Sequence, residues 1–320
     1  MSFNDPRIDL IELPEDIGQV SALNKGLKMI NTLFIARMDA DDISLPPRLE
    51  KEMNEMLNFN PKVAVVGSWM QVIDQNNRLG HVIKGHIDSY PDYLFFLLKH
   101  SIPLSHPSVI FRRNAVLKVG GYDMNLPYAE DFNLWACLAL AGYHAKVIPE
   151  PLCYYRIHEG QQSVSKRQIQ RQNSINVQER MIRNFSNGFP ARPIRLFFEN
   201  EDSLWQEISS PRTMKNLIKA LQQVLANMQT KLNMTPKEST RMMRLFYNKA
   251  GEVASRGVVL SYRKTSLLLY LFALKGGLSI IRNYTLRYLV IFILPSPILL
   301  LVKRVNRIIR TKIKERRNDM

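Results

Sequence analysis

The stretch Leu33-Phe34-Ile35-Ala36-Arg37-Met38-Asp39-Ala40-Asp41-Asp42 governs the reading of the chain. Leu33 to Met38 is short, apolar and partly aromatic, the pattern of a buried strand. It delivers three carboxylates within four residues. The acids therefore stand where a strand gives way to a loop, the place where open α/β sheets hold their ligands. Carboxylates this close repel one another unless a cation sits among them. Hard oxygen donors suit Mg²⁺ or Mn²⁺, which bridge a few carboxylates to substrate phosphates. Two plainer readings compete. One is a solvated acidic turn or helix cap. The other is an EF-hand loop, with Glu50 at its twelfth position. It is disfavoured because Ile43 holds the fifth position, Ser44 replaces the turn glycine and Pro46-Pro47 stiffens the loop.

Outward from the acids, strand and helix alternate. Ile8 to Leu13 reads as a short strand, Gln19 to Met29 as a helix, and Leu33 to Met38 as the strand bearing the acids. Pro47 suits a first helical turn, and Arg48 to Phe59 sets Leu49, Met53, Met56 and Leu57 at helical spacing. Val63–Val66 reads as a strand, Tyr90–Lys99 as a helix, Ser108–Phe111 as a strand and Gly120-Gly121 as a turn. Phe132–Ala141 is an apolar helix ended by Gly142, and Val147-Ile148 with Cys153-Tyr154-Tyr155 closes an α/β unit. Beyond Ser163, Gln, Asn, Arg and Lys dominate 165–185. Helices are expected at 212–230, 236–256 and 263–282 as supporting elements without chemistry of their own.

The 320 residues, 46% hydrophobic, suffice for one large domain or a domain plus a tail. Cys137 and Cys153 both lie in apolar patterns and read as small core residues, which points to a reducing compartment. Met1 to Asp5 shows no basic or apolar signal-peptide pattern. Charge is split unevenly. Residues 1–160 hold 15 Lys and Arg against 19 Asp and Glu, whereas 161–320 hold 29 against 9. An acidic first half argues against nucleic acid, which needs a basic face on the folded domain.

Residues 288–302 form a fifteen-residue apolar run broken by Pro295 and Pro297, short of the ~20 residues of a spanning helix. Eight basic residues between Lys303 and Arg317 follow, interleaved with Val305, Ile308, Ile309 and Ile313. Such a segment reads as an interfacial anchor on an anionic membrane surface. The expected location is cytoplasmic, peripheral on the inner face of the cell membrane. The competing reading of the apolar run is a buried core helix.

Five blocks, in order, resemble the family-2 inverting glycosyltransferases of GT-A fold. They are Asp16-Ile-Gly18-Gln-Val-Ser-Ala22-Leu-Asn24-Lys-Gly26 with Ala36–Glu50; His106-Pro-Ser; Gly120-Gly-Tyr-Asp123; Ala129-Glu-Asp131-Phe-Asn-Leu-Trp135; and Tyr155-Arg-Ile-His158-Glu-Gly-Gln161-Gln-Ser163. The resemblance implies a GT-A-like, mostly parallel sheet flanked by helices over residues 1–165; the sequence beyond it reads as a helical region over 166–283 and the apolar and basic tail at 284–320. The resemblance also implies sugar transfer with inversion from a nucleotide-diphosphate-sugar to an acceptor hydroxyl, in bacterial surface polysaccharide or glycolipid synthesis, with a glycan or lipid-linked acceptor. The family's first two strands have no counterpart before Ile8. The domain is thus expected to be incomplete at its N-terminus, with a gap beside Leu33–Met38.

Roles follow residue by residue from the resemblance. Asp39 and Asp41 match the family's Asp-x-Asp for a divalent metal, Mn²⁺ or Mg²⁺, with His158 a further candidate ligand and Asp42 behind them. Asp131 matches the general base that takes the acceptor proton, and Glu130 its orienting partner; both acids could instead complement a helix N-terminus. Arg37, Asn24, Lys25, Arg156 and Gln161 are candidate donor-binding residues, each with a packing or surface role as its alternative. His106 is a candidate for donor or acceptor contact. A rival from another class is a catalytically impaired remnant acting as a membrane-bound binding module.

Overall fold

Strand β3 (Val63–Ile73) is buried along most of its length and organises the sheet. In the computed structural model, which describes residues 5–58, 61–101, 104–158, 161, 165–199, 202–259 and 262–276, β3 takes neighbours on both sides. The strands β1 (Phe34–Ala36), β2 (Ile43–Ser44), β4 (Leu79–Ile83), β5 (Val109–Arg112) and β6 (His144–Arg156) complete a sheet of order β1-β5-β3-β6-β2, with β4 paired to the far part of β3. Helices α1 (Gln19–Met29), α2 (Arg48–Asn58), α3 (Tyr90–Leu98), α4 (Arg113–Lys118) and α5 (Glu130–Leu140) connect these strands. A helical region follows: α6 (Arg167–Ser186), α7 (Ala191–Glu199), α8 (Ser203–Glu207), α9 (Pro211–Lys231), α10 (Pro236–Val259) and α11 (Arg263–Ala273).

The α/β class and the helical region match the sequence reading; the pairing inside the sheet corrects it. Among the described strands β3–β6 is the parallel pair, and β1–β5, β5–β3, β3–β4 and β2–β6 are antiparallel. The reason is the path into β5. Val109 starts opposite Gly67 and the strand descends along β3 towards Val65, so the chain enters from the carboxyl end of β3. Strands β1, β3 and β6 therefore share one direction with β5 set against them. The start of β5 thereby lies at the same sheet edge as the end of β1.

Other expectations are refined. Val147-Ile148 and Cys153–Tyr155 are parts of the single strand β6. Residues 8–13 form no strand, and Ile8, Leu10 and Ile11 are exposed; among the described strands β1 is paired on one side only, by β5. The short strand β2, the hairpin strand β4 and helix α4 were not foreseen; helices α6, α7 and α8 fall within the helical region expected over 166–283 but were not placed individually. The segments at 277–320, including the apolar run and the basic stretch, lie outside the described residues. No described helix is long and apolar enough to cross a membrane.

Sheet gives way to helix after β6, yet the apolar core continues across that point. One cluster runs from Val65 and Phe111 through Tyr93, Phe132 and Trp135 to Phe185, Phe198, Trp205 and Phe246. Helix α10 docks on α3 through the Arg241–Asp92 ion pair at 2.8 Å, and Trp205 packs so tightly on α10 that a Cβ at Gly257 would come within 2.2 Å of its ring. A polar network lies between α3, α6 and α7. Arg171 and Arg195 each reach Glu199 at 2.7 Å, and Arg171 Nη1 donates to His100 Nδ1 at 2.7 Å.

An arginine can only donate, so His100 must accept at Nδ1 and is held neutral. Burial, reinforced by Arg171 and Arg195, pushes its pKa down to about 4. Between that value and the ordinary histidine range the unfolded chain binds more protons, so stability falls as pH drops through this window, by as much as ~3 kcal/mol. His100 has φ 50°, a conformation asparagine tolerates. Urea midpoints at pH 5 and pH 7 should therefore lie closer together in His100→Asn than in the parent chain.

Candidate active site

The three acids sit on a loop strapped at both ends. On one side the Arg37 amide donates to the Val109 carbonyl at 2.9 Å, continuing the β1–β5 ladder. On the other, β2 pairs Ile43 with Tyr154 and Ser44 with Cys153. Arg156 closes the loop from above β6: its amide donates to Asp42 Oδ1 at 2.9 Å and its Nε to the Asp41 carbonyl at 2.8 Å. Its Nη1 continues to the Asp74 carbonyl and Asn77 Oδ1.

Beneath the loop lies a feature the sequence reading missed. Helix α2 buries Arg48, Glu52 and Met56 and exposes Leu49 and Leu57. The buried face is thus offset from the stripe expected from the apolar spacing, although Met56 belongs to both. Arg48 Nε meets Glu52 Oε1 at 3.1 Å, with both side chains at most 2% exposed. Arg48 Nη2 donates to the Arg37 carbonyl at 2.7 Å and the Val109 carbonyl at 3.3 Å. Burial pushes the Glu52 carboxyl up to about 7, opposed by the Arg48 guanidinium. The i,i+4 spacing of Arg48 and Glu52 was visible, but such pairs are usually solvent-facing.

The loop forms one wall of a cavity of about 330 Å³. Arg37, Asp39, Asp41, His158 and Gln161 line it together with Glu130, Asp131 and His106. One oxygen each from Asp39, Asp41 and Asp42 lies within 4.8 Å of the others, and His158 Nε2 is 3.1 Å from Asp41 Oδ2. Asp42 Oδ2 is buried without a hydrogen-bond partner, and burial, with the charges of Asp39 and Asp41 adding to it, pushes this carboxyl up to about 6. An orphaned buried oxygen within a set of hard oxygen donors fits a divalent cation. Arg37 forks onto Asp39 with both contacts at 2.5 Å.

Glu130 and Asp131 open α5 and occupy its first turn, so complementing that helix end is part of their role. Both also face the cavity. Burial raises both carboxyls; the Asp131 charge raises Glu130 further. Glu130 Oε2 is buried and unpartnered. Just before them Tyr128, another lining residue, holds φ 65°, a left-handed conformation costing a non-glycine residue about 1–3 kcal/mol. His106 is buried, donates or accepts at Nε2 with Tyr122 Oη at 2.8 Å, and is held neutral because burial depresses its pKa strongly.

Three predicted contacts lie elsewhere. Asn24 pairs with the Tyr122 backbone, donating to its carbonyl at 2.8 Å and accepting from its amide at 3.0 Å. It thereby holds the turn at Gly121, where φ is 73° and a Cβ would come within 2.8 Å of Asn24 Oδ1. Lys25 is exposed and not among the lining residues. Arg156 ties the acid loop rather than lining the cavity, and Gln161 donates to its carbonyl. Unforeseen lining residues are Gln19, Tyr128, Tyr155 and, from α6, Gln170.

Residues 1–120 match the model of glycosyl transferase family 2. The amylovoran biosynthesis glycosyltransferase AmsE of Erwinia amylovora is 32% identical over 160 residues, 49% of this chain and 57% of that protein. A UDP-Gal:alpha-D-GlcNAc-diphosphoundecaprenol beta-1,3-galactosyltransferase of Escherichia coli is 32% identical over 123 residues, 38% and 43% respectively. Among solved structures, the mannosyltransferase PcManGT of Pyrobaculum calidifontis, in complex with GDP-Man and Mn²⁺, shares 18% identity at TM-score 0.40, covering 84% of this chain and 69% of that one. The chain spans about half the length of the curated relatives it matches.

Removing Arg48 alone should leave a buried, unpaired Glu52, so Arg48→Met is expected to cost about 3–5 kcal/mol in urea unfolding. Arg48→Met with Glu52→Leu should regain most of that stability. It still leaves the Arg37 carbonyl without its donor, so Mn²⁺ affinity, followed by titration, should remain below that of the parent chain.

Proposed function

We propose, from the premise that the chain carries a glycosyl transferase family 2 domain, that it transfers a sugar from a nucleotide-diphosphate donor to an acceptor hydroxyl with inversion. The observation that carries this reading is the meeting of two acid groups in one cavity: Asp39 and Asp41 with His158 beside them, and Glu130 with Asp131 from the start of α5. Asp39 and Asp41 would hold the divalent cation, with His158 beside Asp41. When bound, the cation neutralises the charge that grows on the diphosphate leaving group. Arg37, presented beside Asp39, supplies a second positive group towards the diphosphate. Asp131 takes the proton from the acceptor hydroxyl as it attacks from the face opposite the leaving group. Its raised pKa makes it a stronger base once ionised, and Glu130 behind it orients the acceptor.

The acceptor fits a glycan or a lipid-linked sugar, in line with the polysaccharide and diphosphoundecaprenol chemistry in the names of the relatives. An anionic membrane surface suits the sequence of the tail. Each Lys or Arg near such a surface contributes about 1 kcal/mol, so the eight between Lys303 and Arg317 give salt-sensitive attachment. The apolar run adds a salt-resistant part. In flotation with anionic vesicles, high salt should release the full chain only partly and deletion of 284–320 should release it fully. A full chain that fails to float at low salt contradicts this attachment.

Turnover is tested with Mn²⁺ and a panel of UDP- and GDP-sugars, reading release of the nucleoside diphosphate. Asp41→Ala should weaken Mn²⁺-dependent donor binding. Asp131→Asn should bind donor as before and lose turnover, because an amide cannot take the proton. Equal loss of binding in both variants would defeat this division of roles.

A further inference from the structure

The helical region contributes to the cavity through one stripe of α6. Residues 170, 173, 177 and 180 recur at spacings of three and four, so they share a helix face. Val177 on that stripe is 1% exposed and anchors it in the core. The other three are polar, and each meets the cavity or the loop that enters α5. Gln170 lines the cavity itself. Asn173 Nδ2 donates to the Pro127 carbonyl at 2.8 Å. Arg180 reaches Asp123 Oδ2 at 3.6 Å and also contacts Asn133 Oδ1.

These contacts grip the 123–133 segment near its start, at its middle and at its end, with Tyr128, Glu130 and Asp131 between the last two. The middle contact has a specific mechanical meaning. The Pro127 carbonyl belongs to the peptide plane immediately before Tyr128, and rotation about the next bond is the φ that stands at 65°. A donor fixed on that carbonyl holds the plane, and so holds the left-handed turn that Tyr128 would otherwise leave. Arg180 is more than half exposed, so its ion pair with Asp123 contributes little in water. Asn173 is the contact that acts directly on the plane before Tyr128.

We propose that α6 completes the active site: Asn173 and Arg180 are positioning residues for the loop presenting Tyr128, Glu130 and Asp131, and Gln170 contributes an amide to a hydroxyl-rich acceptor. The assignment rests on the reading of Asp131 as base. It extends the site into a region whose sequence carries no acid cluster, and gives that region a part in the reaction. The Gln170 amide can both donate and accept, which matches sugar hydroxyls.

The test uses the full chain with Asn173→Ala, Asn173→Asp, Arg180→Ala and Gln170→Ala. Asn173→Asp is nearly isosteric but cannot donate, so it separates the hydrogen bond from packing. Hydrogen exchange is read on the 123–133 amides and on α6, together with the urea midpoint. Both Asn173 variants should speed exchange of 123–133 about fivefold, the factor one hydrogen bond's net contribution carries, with the midpoint lowered by no more than that one bond and α6 exchange through local openings unchanged. On the Mn²⁺ and sugar-nucleotide panel, kcat should fall about tenfold, as misplacement of a reacting group predicts, while UDP or GDP affinity with Mn²⁺ stays within about twofold. Gln170→Ala should lower turnover without altering exchange. Unchanged exchange in 123–133, or local exchange accelerated as much in α6 as in 123–133 with a midpoint lowered by more than one hydrogen bond accounts for, overturns the proposal. Localised exchange changes with turnover surviving Asp131→Asn would support the grip and remove Asp131 as the base.

Discussion

The buried Arg48–Glu52 pair is the constraint on which the site is built. A charged pair with so little exposure is costly to desolvate, and alone it would be no better than two well-packed apolar residues. Its return lies in the guanidinium's remaining donor, which holds the Arg37 and Val109 carbonyls. Those carbonyls mark the end of β1 and the beginning of β5, the two points between which the acid loop must leave the sheet. Helix α2, sheet edge and loop are thereby joined at one planar group whose geometry is rigid. The same demand explains why α2 turns two charged residues inward and leaves Leu49 and Leu57 in solvent.

The antiparallel entry of β5 is the second condition. Had β5 run with its neighbours, His106 and the turn before Val109 would lie at the opposite edge from Asp39. As the strands run, the turn before β5 and the loop after β1 share an edge, and the start of α5 completes the enclosure. Arg37 lies among acids from both walls: it pairs with Asp39, and its charge offsets part of the upward push on Asp42, Glu130 and Asp131. Two groups of carboxylates can stand around one small cavity because a guanidinium is set between them.

Much of this was legible in the sequence. The acid loop, the helices after Gly18 and Pro47, the paired glycines and the Glu130-Asp131 start of a helix all carry local signals, because each depends on spacing or backbone preference within a few residues. What was not legible depends on partners far along the chain. Helix α6 is mostly polar in its first half and buries its apolar stripe, Val177, Met181, Ile182 and Phe185, only in its second; its role at the cavity comes from Pro127 and Asn133, some forty residues earlier. Asn24 and Arg156 show the same limit in reverse. Their positions beside family-like blocks suggested ligand contact, whereas Asn24 pairs with the Tyr122 backbone and Arg156 with the Asp41 and Asp74 carbonyls. The direction of β5 is likewise set by where α3 delivers the chain.

Many of the contacts that shape the cavity end on main-chain oxygens rather than side chains: Arg48 on Arg37 and Val109, Arg156 on Asp41 and Asp74, Asn173 on Pro127. A carbonyl is present whatever residue occupies the position. The framework is therefore indifferent to the identity of the loop residues it holds, provided their backbone keeps its course. Side chains facing the cavity can be exchanged over generations, or by an engineer, while the scaffold stays as it is. In such an architecture new ligand preferences can arise by substitution alone, without rebuilding the frame.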